Sequence, residues 1–139
     1  MKPALTPYLM FMGKTREAMT FYQSVLGGEL TMQSFAESGM PTTDENKDYI
    51  IHANLANDFL TIMASDGDAQ HPVKMGDNIH MSISGSDDEQ LRKYFDGLAQ
   101  GGHVDMELQK QFWGDIYGQL TDKFGVHWMV NISSDKPQK

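Results

Sequence analysis

The chain has 139 residues, 40% of them apolar and 22% charged, and contains no cysteine. That is one ordinary domain by size, and the missing cysteine removes disulfide scaffolds, zinc ribbons, redox pairs and a thiol nucleophile. Nineteen acidic residues against eleven basic ones give a net charge of -8, which repels phosphate backbones and leaves small molecules, cationic ones favoured, as the expected partners rather than nucleic acid.

Leu5–Met12 reads as a first strand. Residues 15–26 place Ala18, Phe21, Tyr22, Val25 and Leu26 on one helical face, with Thr15 as the cap and Gly27-Gly28 as the stop. Strands follow at Glu29–Ala36, Tyr49–Ala56 and Phe59–Ser65, the last two joined by a tight turn at Asn57-Asp58. Glu37–Asp48 is a polar loop with the composition of a flap, and Asp66–Asn78, with two glycines and a proline, links two halves.

The order then repeats. Ile79–Ser84 is a strand; residues 87–100 form a helix on Leu91, Tyr94, Phe95 and Leu98, with a capping box over Ser86–Glu89 and a stop at Gly101-Gly102. Strands follow at Val104–Gln111, Ile116–Thr121 and Val126–Ile132, with Gly125 turning the chain into the last. The two helices stand about seventy residues apart, as in an internal duplication. The fold class is therefore α+β: two βαβββ modules, residues 1–66 and 78–132, joined by a linker at 67–77. Residues 133–139 read as a frayed tail. No apolar run approaches the roughly 18–20 residues of a membrane span, and the first residues lack the features of a secretory signal, so the expectation is a cytoplasmic protein with no membrane partner.

Particular residues sharpen the pattern. Thr6-Pro7-Tyr8-Leu9, then Glu17-Ala18-Met19-Thr20-Phe21-Tyr22 and Leu26-Gly27-Gly28-Glu29-Leu30, resemble the PhnB-like branch of the vicinal oxygen chelate superfamily, which includes glyoxalase I, bleomycin-resistance proteins and extradiol dioxygenases. So do Phe112-Trp113-Gly114 and the run from Tyr117 to Asn131. The resemblance implies a glyoxalase-like fold, in which the two modules pair to form a curved mixed sheet with a cleft, and usually a homodimer. In the metal enzymes it also implies four His, Glu or Gln ligands on the cleft face, holding a Lewis-acidic ion such as nickel, zinc, manganese or iron.

Aligned with that pattern, the ligand positions fall at Pro7, at Thr61 or Met63, at Asn78 and at Met129, none a usual ligand of a divalent metal. A slip of two residues, which keeps a strand residue on its face, brings in His80 and His127 as a fallback pair. His52 lies on the third strand; His71 and His103 read as solvated. Asp66-Gly67-Asp68 has a calcium-like spacing without the glycine and flanking helices of a calcium loop, and Asp122 reads as a turn-former. Some relatives carry a methyltransferase label, yet no G-x-G-x-x-G, P-loop or G-x-S-x-G motif occurs, and Arg16 and Arg92 do not cluster for a phosphonate. Trp113, Tyr117 and Trp128 bring aromatic faces with polar tips that suit a flat ligand or packing. The cleft candidates are His80, Trp113, Tyr117, His127, Met129, Asn78 and Met63. The expected function is binding of a small cationic or aromatic molecule with no cofactor; the alternatives are a metal-assisted lyase, isomerase or dioxygenase using His80 and His127, and a structural dimer.

Overall fold

The computed structural model describes residues 2–68 and 70–134. The chain forms two compact units, Met1–Lys74 and Met75–Lys139, dividing inside the expected linker. Each unit runs strand, helix and three strands, with a short extra helix in the first, and carries one mixed four-stranded sheet.

In the first unit, β1 (Tyr8–Met10) leads into α1 (Thr15–Leu26), β2 (Glu29–Ser34), α2 (Phe35–Ser38), β3 (Ile50–Ala56) and β4 (Thr61–Ser65). The sheet order is β1-β4-β3-β2, with β1 parallel to β4 and the other pairs antiparallel. Helix α1 packs on β2, β3 and β4. Its buried stripe, Thr15, Ala18, Met19, Tyr22 and Leu26, meets Ile50, Ala53, Leu55, Ile62 and Ala64 in a core closed to solvent. Phe21 and Val25, expected on that stripe, are half-buried at its margin. The expected strand at Glu29–Ala36 ends earlier because Ser34 and Glu37 form a reciprocal capping box that starts α2 at Phe35 and carries it into the expected loop. The first strand is also shorter than Leu5–Met12, since only Tyr8–Met10 pair with β4.

Thr15 does not cap α1. Lys14 occupies that position without a side-chain bond, and the cap comes from Asp66, far along the chain. One Asp66 oxygen accepts from the Gly13 and Thr15 amides at 2.7 and 2.9 Å; the other accepts from Ile50 at 2.8 Å. Met12 and Gly13 take positive φ values of 50° and 102° beside the carboxylate, and the Lys14 amide between the two bonded ones turns back to the Phe11 carbonyl. This buried group ties the helix start, β3 and the end of β4 together, so the acidic Asp66-Gly67-Asp68 run spends its first carboxylate on backbone.

The second unit runs β5 (Met81–Gly85), α3 (Asp88–Ala99), β6 (His103–Lys110), β7 (Ile116–Thr121) and β8 (His127–Ile132), in the order β5-β8-β7-β6 with β5 parallel to β8. Helix α3 buries Leu91, Phe95 and Leu98, while Tyr94 is half-buried. Its start is capped by Asp87, whose side chain accepts from the Gln90 amide, one residue on from the expected Ser86–Glu89 box. Strand β6 breaks register with β7 twice, between Val104 and Met106 and between Met106 and Gln109. There Gly118 faces Phe95: a Cβ at Gly118 would stand 3.0 Å from that ring and 2.9 Å from the Met106 carbonyl oxygen. Of the expected tail, Ser133 is pinned by its amide and hydroxyl to the Gly85 carbonyl, at 2.7 and 3.1 Å. Residues 135–139 lie outside the described residues.

Asp66→Ala strands three backbone donors, two of them in buried bonds, and is expected to cost about 3 kcal/mol of unfolding free energy, with Asp66→Asn costing less. Urea unfolding checks it; an unchanged midpoint for the alanine variant contradicts the role given to the carboxylate.

Candidate functional site

Strand parity builds the site. On β8, Trp128, Val130 and Ile132 are buried, while His127, Met129 and Asn131 are only partly covered. Alternate strand residues point to opposite faces, so the first set lies under α3 and the second forms the face turned away from it. On β7 the directly opposed partners are Tyr117 to Asn131, Gln119 to Met129 and Thr121 to His127. Ser82 and Ser84 of β5 continue this face, and His80, two residues before Ser82, has the same parity.

At one end the His80 and His127 rings stack with centroids 5.2 Å apart and planes 26° apart. His127 Nδ1 lies 2.9 Å from Thr121 Oγ1, and the Thr121 hydroxyl donates to Asp105 Oδ2 at 2.7 Å. Asp105 Oδ1 lies 2.8 Å from His103 Nδ1. The Thr121 hydrogen bond and then the His103 bond hold the Asp105 carboxyl below its ordinary pKa. His80 Nδ1 is shut away from solvent with no hydrogen-bond partner. At the other end, Trp113 meets Tyr117 edge-on at 6.0 Å, and Phe112 meets Trp113 at 5.0 Å. The Tyr117 hydroxyl accepts from Gln119 Nε2 at 2.9 Å and donates to Met129 Sδ at 3.4 Å.

Five sequence candidates, His80, Trp113, Tyr117, His127 and Met129, thus gather on or beside one face of one sheet. Asn78 is exposed in the segment before β5. Met63 belongs to the first unit, where it pairs with Asn54 and Tyr8; near it Tyr8 Oη lies 2.9 Å from His52 Nδ1. Trp128 does not join Trp113 and Tyr117. It is 1% exposed on the α3 side, and its indole N–H donates to Asp122 Oδ2 at 2.9 Å. Asp122 also accepts from the Phe124 and Val126 amides, so the turn-former doubles as the anchor of the buried indole. Thr121, Asp105 and Gln119 escaped the sequence reading; the alternation of β7, which puts Tyr117, Gln119 and Thr121 on one face, was the signal that could have shown two of them.

The side chains present do not fit the superfamily's metal centre. Pro7 precedes β1 and offers β4 only its carbonyl, to the Met63 amide; Thr61 begins β4, Asn78 lies ahead of β5, and Met129 is bonded to Tyr117. His80 and His127 supply two imidazoles, and among the described residues no three His, Asp or Glu side chains group as a metal site.

The pattern of the family described as 3-demethylubiquinone-9 3-methyltransferase matches residues 3–131. The chain belongs to this PhnB-like family. It is 33% identical to protein YjdN of Escherichia coli over 96% of this chain and 97% of that one. Among solved structures, protein PA1353 from Pseudomonas aeruginosa is 38% identical with a TM-score of 0.87, covering 96% of this chain and all (100%) of that one. The PhnB protein from Bacillus cereus is 27% identical with a TM-score of 0.73, over 94% and 100% of the two chains. A glyoxalase/bleomycin resistance protein/dioxygenase family enzyme from Burkholderia phytofirmans shares the fold alone, at 16% identity and a TM-score of 0.61, over 93% and 98%. The architecture is thus the glyoxalase-like α+β fold, two βαβββ modules each with its own mixed sheet. Among the described residues no helix is long and apolar enough to cross a membrane.

Two predictions follow from this geometry. Trp113 is 49% exposed and Trp128 1%, so acrylamide should quench part of the tryptophan emission, and Trp113→Phe should leave a blue-shifted remainder that resists it. Because the folded Asp105 carboxyl is held below its ordinary value, its stabilising contribution is present above the unfolded pKa and fades as pH falls toward the folded one. Carbon NMR titration should show that depression, and Thr121→Val should bring the carboxyl back toward the ordinary range.

Proposed function

We propose that this protein binds a small, flat organic molecule on the sheet face of the second unit that turns away from α3. The observation that carries the reading is the half-exposed Trp113, set edge-on to Tyr117 and next along the face to Met129, Gln119 and His127. Exposed aromatic surface beside a few oriented polar groups is the composition of a small-molecule site. Met129 adds a polarizable, adaptable side chain to its floor, and the net charge of -8 favours a neutral or cationic ligand. The methyl transfer in the family's description forms no part of this reading, since the chain carries no glycine-rich loop for a nucleoside cofactor.

A second reading rests on the stacked His80 and His127: a divalent ion held there would make a metal-assisted lyase, isomerase or dioxygenase. The two readings part at metal content. Under the first, the purified protein carries well below one ion per chain; one nickel, zinc, manganese or iron per chain, lost on His80→Ala, favours the second.

For the first reading, a panel of flat aromatic compounds, cationic and neutral, should contain a member that raises the melting temperature and saturates the quenching of Trp113. Trp113→Ala should weaken that compound about tenfold, the scale of an aromatic anchor. A panel without one saturable binder overturns the proposal.

A further inference from the structure

The linked side chains on β6, β7 and β8 fix more than the place of a ligand. An ionised carboxylate only accepts hydrogen bonds, so Asp105 takes its 2.7 Å bond from the Thr121 hydroxyl and its 2.8 Å bond from His103 Nδ1. Thr121 has one proton, and it is directed at Asp105. The remaining role of Thr121 Oγ1 toward His127, 2.9 Å away, is acceptor. His127 Nδ1 therefore carries the ring proton, and in the neutral imidazole Nε2 is left with its lone pair. Among the described residues no partner binds that nitrogen. Farther along β7 and β8, Gln119 Nε2 is engaged with the Tyr117 hydroxyl and that hydroxyl with Met129 Sδ. The His80 ring, stacked on His127, holds the imidazole plane from the other side.

We infer that His127 Nε2 is the hydrogen-bond acceptor for a hydroxyl or N–H of the flat ligand, with Thr121 and Asp105 as the positioning residues that set its tautomer. The inference rests on the proposed function, of which it specifies the ligand class: a planar ring system that carries a donor. Thr121 and Tyr117 lie four residues apart on one strand, about 13 Å, so a ring system laid over Gln119 and Met129 would reach from the imidazole toward the aromatic pair. Donor-bearing and donor-blocked ligands of the same shape differ at such a site because the blocked one covers the acceptor and leaves it unpaired.

The test has two parts, both on the full chain at pH 8. Long-range proton–nitrogen correlation spectra of the 15N-labelled protein should show His127 as the Nδ1–H tautomer, the reverse of the form that dominates in free peptides. Thr121→Val, equal in shape but without the hydroxyl, should return it to the Nε2–H form, and Thr121→Ser should keep Nδ1–H. A structural disturbance alone would not sort the two variants in this way. In the second part, 2-naphthol should bind about tenfold more tightly than 2-methoxynaphthalene, and His127→Phe should bring the two together. An Nε2–H tautomer in the unaltered protein, or equal affinity for the two probes, overturns the acceptor assignment and leaves the binding reading standing. If neither probe nor any member of the aromatic panel binds, both readings are overturned.

Discussion

In each unit the first strand lies parallel beside the last: β1 against β4 and β5 against β8. Parallel neighbours cannot be joined by a tight turn, so the chain must cross over, and the crossing carries a helix. That helix covers one face of its sheet and buries every second residue of the strands beneath it. Trp128, Val130 and Ile132 go under α3, and His127, Met129 and Asn131 are thereby assigned to the other side. The chemistry of the candidate site is a consequence of this pairing. Of its residues only His80, Phe112 and Trp113 stand outside the strands.

The same constraint explains what was legible in the amino-acid sequence. Both long helices announce themselves through apolar spacing, α1 over Thr15–Leu26 and α3 within a residue at each end, and β7 matches over Ile116–Thr121. The errors have a common cause, which is that partners distant in the chain override local signals. Thr15 looks like a cap, but the Asp66 carboxylate, fifty-one residues away, takes the amide that a local cap would serve. Trp128 looks like a ligand platform until strand parity puts it under α3, where Asp122 satisfies its indole N–H. The pairing of Thr121 with Asp105 depends on a register break in β6 that no spacing rule announces.

The two halves have spent their shared pattern differently. Asn57 and Asp122 occupy corresponding turns before the last strand, and both accept backbone amides there. Asn57 uses its remaining amide on the Leu26 carbonyl at the end of α1, whereas Asp122 uses its second oxygen on Trp128. On the faces away from the helices, the first unit sets Tyr8 against His52 and the second sets His80 against His127. The two halves share the framework and its turns, while the side chains on the faces away from the helices differ.

The two register shifts in β6 have a consequence beyond placing Asp105. This strand stands last in its sheet, and a straight, unpaired strand there is a template on which another chain can add by backbone hydrogen bonding. Each bulge kinks the row of donors and acceptors and increases local twist, so no stretch of β6 offers a long regular ladder. Charged residues at Asp105, Glu107 and Lys110 add a desolvation cost to any such addition. The irregularity that brings a carboxylate to Thr121 also protects the protein against edge-to-edge polymerisation.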